Sequence, residues 1–304
     1  MQLDQALKHV QNHPWIDVRI HDWLIVLTHV DEDYKTNIDL DIEPLLKLDN
    51  YYVHMYSSVP SQAAIFRLID EYKNFRYTHV PELLFTQLID HPLQTPEFLS
   101  SNAKKVFCNL NNRYTFFRKG IFEHMRNNYS EASYLSWNND SKSLINLPYY
   151  KNFDEEKYVS EHFKNYCYPV TGFIFDIFAE TYSETFVGLT EKSTKGYLNG
   201  CIPVPFSTTG TMQLLKNLGF DIFEDIVDFS YEMEGWVHIR MEFYLKEIDR
   251  LSKTDLNITK SLTDRFEYNR QCFLDNIEKA KQKLKWIDEK TQIALDNRKI
   301  YLGY

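Results

Sequence analysis

Short all-apolar runs alternate with segments of helical spacing along most of the chain, and that alternation predicts its elements. Residues 1–12 carry apolar positions at helical spacing and stop at His13-Pro14, where the residue before a proline is pushed out of helix geometry. Trp23–Val30 (WLIVLTHV) has the character of a buried strand and runs straight into the acidic triplet Asp31-Glu32-Asp33. Tyr51–Val59 (YYVHMYSSV) predicts a second strand closed by Pro60, and residues 61–72 return to helical spacing through Ala64, Phe66, Leu68 and Ile69. A helical turn or two follows at 82–88, and the stretch 90–101, with Pro92 and Pro96, reads as a linker.

The pattern then restarts. Lys104–Leu110 (KKVFCNL) predicts a strand, followed by a helix to about Met125, and the polar residues 127–160 predict a long loop with a short helix. Tyr168–Ala179 (YPVTGFIFDIFA) predicts another strand. Thr190 is a good N-cap for a helix that ends at Gly200-Cys201, after which come a strand at Ile202–Phe206, a polar turn to Gly210 and an amphipathic helix. Strand, helix, strand, turn, helix is how one half of a doubly wound α/β domain reads. Residues 233–251 and 259–295 are helical in period, the second with Phe266, Phe273, Ile277, Ala280, Leu284 and Ile287 on one side. Trp236 and Trp286 are expected to serve packing. The expected class is α/β, with an N-terminal α/β domain at 1–100, a second at 101–235, and C-terminal helices at 236–304 that brace the two.

Composition narrows the picture. At 304 residues, with 21 Tyr and 21 Phe, the chain is long and apolar enough for two cores. A net charge of −9 argues against a broad nucleic-acid-binding surface, though not against a local basic cleft. The four cysteines are far apart and form no C-x-x-C pair, which predicts buried thiols and no zinc site. No apolar run approaches the roughly 20 residues that span a bilayer, and the first residues lack the basic-then-apolar pattern of a secretion signal, so the expectation is a cytoplasmic protein without membrane contact. Only Gly120 precedes Gly172. The first half therefore holds no G-x-G-x-x-G fingerprint and no P-loop, which removes the simplest dehydrogenase and ATPase readings.

The candidate chemistry lies in the second half. A helix capped by Thr190 aims backbone N–H groups and its positive dipole end at whatever precedes it. Lys192 adds a point charge suited to phosphates, and Glu191 can accept from two ribose hydroxyls. The same tripeptide also fits a capped surface helix. Arg113 and Arg118 follow the strand ending in Leu110-Asn111 in the most basic stretch of the chain, and arginine forks suit a diphosphate. They equally fit a solvated loop and helix face.

Thr190-Glu191-Lys192 with Lys195, Gly200, the Ile-Pro-Val-Pro strand and Leu-Gly-Phe at 218–220 resembles the donor-binding segment of GT-B glycosyltransferases of the α-1,3-fucosyltransferase-like type, which include phage-encoded members. The Leu-Asn strand end with Arg113 and Arg118 resembles a second motif of these families, and Asp228-Phe229-Ser230-Tyr231-Glu232 resembles the segment that ends their donor domain. Glu180 stands where they carry a polar patch against the nucleotide. The resemblance covers 104–235 and hardly touches 1–100. It implies two Rossmann-like domains with a cleft between them, and a donor site built from Arg113, Arg118, Glu180, Thr190, Glu191, Lys192 and Lys195. It further implies a UDP- or GDP-linked sugar as co-substrate, no further cofactor and no metal, and an inverting transfer to an acceptor hydroxyl.

Such a transfer needs a carboxylate to take the acceptor's proton. Asp31, Glu32 and Asp33 are the candidates, on a loop after a strand, with Glu82 and Asp90 behind them. An apolar strand followed by Asp-x-Asp also suits a metal-dependent GT-A-like transferase using Asp31 and Asp33. The composition, rich in Asn, Lys, Tyr and Ile, suits an AT-rich phage genome, which points to a hydroxymethylated base in phage DNA as acceptor and to the host cytoplasm as compartment. A glycan or protein hydroxyl stays open, as does a transferase-derived module that binds without catalysis. Oligomeric state is not legible.

Overall fold

The computed structural model describes residues 2–11, 16–29, 38–58, 63–89, 97–100, 103–111, 115–137, 168, 172–180, 189–254 and 260–298. The chain divides into two compact units, one of residues 1–89 and 276–304, the other of residues 90–275. Both are α/β with mostly parallel sheets, and each is taken by itself.

Unit 1 runs α1 (Leu3–Gln11), β1 (Ile16–Ile20), β2 (Leu24–His29), α2 (Ile38–Leu46), β3 (Tyr52–Ser57), α3 (Ala63–Glu71), β4 (Phe75–His79) and a 3₁₀ helix (Pro81–Leu88). Its sheet has the order β1-β2-β3-β4, with β1 antiparallel to β2 and the other pairs parallel. Every residue of β2 is buried because both faces of the sheet are covered. Ile25 and Leu27 join Val53 and Met55 in a core with α1, α2 and α3, while the alternate residues Leu24 and Val26 join Tyr56, Val80, Leu83 and Ile287 in a second. The sequence reading found β2 and β3 but named neither β1, β4 nor α2. Both strands are half exposed and polar at alternate positions, and α2 carries Pro44 inside it, so none shows a clean apolar period.

Unit 2 runs β5 (Phe107–Asn111), α4 (Phe116–Tyr129), β6 (Ser133–Trp137), β7 (Phe175–Ala179), α5 (Glu191–Asn199), β8 (Ile202–Phe206), α6 (Thr211–Asn217), a second 3₁₀ helix (Phe229–Met233) and α7 (Val237–Leu251). The 37-residue α8 (Lys260–Asp296) begins in this unit and ends in the other. The sheet is parallel throughout, in the order β6-β5-β7-β8. The chain therefore leaves β5 to one side for β6 and resumes on the other side with β7, which makes the β5/β7 gap the topological switch point. Pro203 and Pro205 are tolerated in β8 because, among the described residues, it is the last strand of this order and pairs only with β7.

Three expectations need correction here. Residues 127–160 were expected as loop and short helix, yet β6 lies within them; its Ser-Tyr-Leu-Ser-Trp alternation is too short to stand out. The strand expected from Tyr168 starts only at Phe175, because Gly172 turns the chain at φ 82°. Trp236 is not a packing residue but is 77% exposed. Trp286 does pack, edge-on to Tyr56 with ring centroids 5.9 Å apart.

The helix α5 is held unusually close. Gly196 faces Pro203 of β8, where a Cβ would stand 2.6 Å from the proline ring, and Gly200 ends the helix in the left-handed region at φ 69°. A Cβ at Gly200 would meet the Phe98 ring at 2.1 Å, and that ring is also packed by the Arg270 guanidinium, 3.9 Å from its centre. Gly200→Ala is expected to lower the unfolding free energy by about 2 kcal/mol or more, from the left-handed backbone and the overpacking together. The urea midpoint, at unchanged slope, reads this.

Candidate functional site at the carboxyl edge of unit 2

Ligands of open α/β sheets bind outside the carboxyl ends of the strands, at the switch point. Here the β5–β7 backbone ladder covers only Phe107 with Phe175 and Cys108 with Asp176. Beyond it, side chains take over the carbonyls of β7. Asn109 Nδ2 donates to Ile177 O at 2.6 Å, and Asn111 Nδ2 in turn donates to Asn109 Oδ1 at 2.6 Å. Arg118 donates from Nε and one Nη to Ala179 O, each at 3.3 Å. Arg118 reaches there because Thr115, in extended conformation, caps α4 by accepting from the Arg118 N–H at 3.2 Å. The sequence reading left Arg118 on a phosphate or in solvent. It is 4% exposed and bonded to backbone, so its first duty is to close the sheet at the split.

The next strand end carries Glu180. Its N–H donates to Phe206 O at 3.0 Å, and its buried carboxylate takes Thr190 Oγ1 on Oε2 at 2.7 Å and Ser193 Oγ on Oε1. Thr190 Oγ1 also accepts from the Lys192 N–H at 3.2 Å, which is the N-cap bond of α5. Glu180 is thus engaged with the helix start itself, and the hydroxyls at 190 and 193 are oriented by it. Lys192 is half-buried on the first turn. Glu191 begins α5, and its side chain lies outside the described residues. Lys195 is buried, with Nζ 4.0 Å from the centre of the Tyr168 ring. Ser193, Thr194, Lys195, Tyr197, Leu198 and Asn199 are all buried, so the alternative of a capped surface helix does not hold.

Beneath α5 lies a carboxylate that the sequence reading passed over. Asp176, the second residue of β7, is buried and accepts from Tyr168 Oη. Burial pushes its pKa up to about 6, against the opposing pull of Lys195, the Tyr168 hydrogen bond and Lys192. The neighbouring thiols of Cys108 and Cys201 are buried and raised well above the usual range, first by burial and next by Asp176. Buried free thiols were expected, and Cys108, Cys201 and Cys272 are such. The signal for Asp176 was a single carboxylate inside the apolar run FIFDIFA.

At the end of β8 the segment Asp228–Glu232 proves to be a clasp. Asp228 caps the 3₁₀ helix by accepting from the Ser230 N–H at 2.9 Å, and Tyr231 Oη donates to Pro205 O at 2.8 Å. Glu232 accepts from Ser207 Oγ at 2.6 Å and from the Met212 N–H at 3.3 Å. The start of α6 is thereby occupied by the protein's own carboxylate.

Arg113 and the triplet Asp31, Glu32 and Asp33 lie outside the described residues. In unit 1 the carboxyl ends of β2, β3 and β4 align His29, Ser57 and His79 in one cross-strand row, with His29 Nδ1 2.9 Å from Ser57 Oγ. The sequence reading named none of the three, because pairing between strands is needed to join them. Among the described residues no group of three or more His, Cys, Asp or Glu is placed to hold a metal ion, and no helix is long and apolar enough to cross a membrane. Comparisons of the chain with protein-family models, with curated proteins and with solved structures match nothing.

Asp176 generates a pH prediction. Between the ordinary aspartate pKa of 3.8 and its folded value of about 6, the unfolded chain has released this proton and the folded one still holds it. Stability contributed by the raised pKa is therefore complete at low pH and is lost as pH rises through about 6. Relative to wild type, Asp176→Asn is expected to gain about 3 kcal/mol between pH 4 and 7. Unfolding free energies of the two proteins across that range measure it, and parallel curves would exclude a raised Asp176.

Proposed function

We propose that unit 2 binds a nucleotide-sugar and that the protein is a glycosyltransferase of the GT-B class, transferring the sugar to an acceptor hydroxyl with inversion and without a metal. The observation that carries this reading is the start of α5. A capped helix with Lys192 on its first turn opens after the carboxyl end of β7, beside the switch point, and the residues that resemble the donor motif are those that build it. Lys192 and the positive dipole end of α5 neutralise the departing diphosphate. Glu180 holds the Thr190 and Ser193 hydroxyls, and Arg118 holds the end of β7, so both act on the shape of the site. Lys195 acts from below as a buried counter-charge to Asp176.

In the reaction the acceptor oxygen bonds to the anomeric carbon as the bond to the nucleoside diphosphate breaks, and the acceptor's proton passes to a carboxylate. Asp31, Glu32 and Asp33 remain the proposed bases, and Arg113 a proposed diphosphate ligand. The acceptor is proposed as a hydroxymethylated base in phage DNA, with a glycan or protein hydroxyl as the alternative.

The test is a thermal-shift panel of UDP, GDP, CDP and their sugar conjugates, with and without chelator. One nucleotide is expected to raise the melting temperature with chelator present, since a ligand of the folded state stabilises by mass action. Lys192→Ala should remove most of that shift while leaving the ligand-free melting temperature nearly unchanged, because a half-exposed charge contributes little to stability. An undiminished shift in the variant would take Lys192 out of the site. A shift that needs metal would favour the Asp-x-Asp mechanism, and no shift with any nucleotide would leave a non-catalytic module.

A further inference from the structure

We propose that Phe116 is the platform on which the nucleobase of the ligand stacks. The inference rests on the nucleotide-sugar reading of unit 2 and adds the part of the ligand that the charged residues leave unaddressed. It stands on the placement of the first turn of α4. Phe117 meets Phe206, the last residue of β8, with ring centroids 5.1 Å apart, and Arg118 is bonded to the carbonyl of Ala179, the last residue of β7. The turn that begins at Thr115 therefore lies over the ends of two neighbouring strands, at the edge where α5 opens. Phe116 stands in that turn and is 65% exposed.

Its neighbours fix the ring without covering it. Phe117 stands 5.4 Å away at 85°, and His238, from the first turn of α7, stands 6.1 Å away at 85°. His238 is itself 6.1 Å from Phe117, so the three rings form one group. Two rings set at right angles restrict the side chain while its face stays open, so a planar heteroaromatic settling on it costs less ordering and gains a stacked contact.

Other exposed aromatic residues of this unit lack the arrangement. Phe243, 43% exposed, is covered by the Lys246 ammonium at 4.8 Å. Trp236 makes no ring contact among the described residues. Tyr268, 57% exposed, stands on α8 and donates its hydroxyl to Gly219 O at 2.9 Å. Among the described residues Phe116 alone of these four is both anchored by rings and set beside the strand ends that carry Arg118 and Glu180.

The experiment is calorimetric titration of UDP and of GDP into wild type, Phe116→Trp, Phe116→Leu and the surface control Phe243→Leu. Leucine keeps apolar area at 116 and removes the π-face, and an exposed position leaves folding intact. The expected result is about tenfold weaker binding in Phe116→Leu, with Phe116→Trp and Phe243→Leu within about twofold of wild type. Wild-type affinity in Phe116→Leu would overturn the stacking role and leave the nucleotide-sugar reading standing. Equal losses in the tryptophan and leucine variants would also overturn it, since a larger ring should serve a platform. No binding of either nucleotide by the wild type would overturn the functional reading, and this inference with it.

Discussion

The carbonyl oxygens at the end of β7 set the terms for the carboxyl edge of unit 2. A buried backbone carbonyl needs a donor, and at the switch point the neighbouring strand supplies one for only two residues. Asn109 and Arg118 meet the requirement from β5 and from the first turn of α4, and in doing so fix where α4 starts. On the other flank, Glu180 continues the β7–β8 ladder by one bond and then gives its carboxylate to the start of α5. The two helix starts that frame the candidate site are thus both tied to one strand end.

Behind this edge lies more buried polarity than a purely structural domain requires. Asp176, Lys195, Glu180, Thr190, Ser193 and Tyr168 are joined by hydrogen bonds, a cation–ring contact and electrostatic coupling within and beneath α5. Replacing such a set by apolar residues of the same volume is often neutral or stabilising, so net stability does not account for it. Placement does: a fully connected polar network admits fewer arrangements than an apolar core, and the first turn of α5 gains a fixed position by it. The clasp of Glu232 and Ser207 applies the same logic to the neighbouring strand end, where it fills the start of α6 from within. The two helix starts that follow β7 and β8 differ in how the carboxylate engages them: Glu180 accepts from side-chain hydroxyls beside Lys192, whereas Glu232 accepts a backbone N–H of α6.

A second fixed point lies where α8 meets the turn after α6. Phe223 adopts φ 59°, a conformation that an L-residue with a side chain rarely takes. It is held by its own N–H bonding to Asp221 Oδ1 at 2.9 Å, by Arg265 over its ring at 4.6 Å, and by bonds from the same arginine to Asp221 and Asp225. Asn269 completes the clamp, accepting from the Asp221 N–H and donating to its carbonyl, both at 2.8 Å. The strained residue persists because four groups determine it at once.

The sequence by itself determined what depends on neighbours a few residues apart. The short apolar runs of β2, β3 and β8, helical spacing in α3 and α8, the Thr190 cap and the Gly200 stop are local, and each was legible. So was the order of elements from β7 to α6, and with it the α/β class. Strands that are short, charged or broken by context, such as β1, β4 and β6, carried too little local pattern to be seen. Only the tertiary structure decided what each polar side chain faces, since hydrogen-bond partners 61 to 68 residues apart, as for Arg118 with Ala179 and Asn109 with Ile177, leave no trace in local spacing. It showed Arg118 buried against the end of β7 and Glu180 bonded to the start of α5, contacts that no local spacing announces. The motif residues were visible as types; their division into those that shape the edge and those that face outward came from burial, which strand order and helix packing fix together.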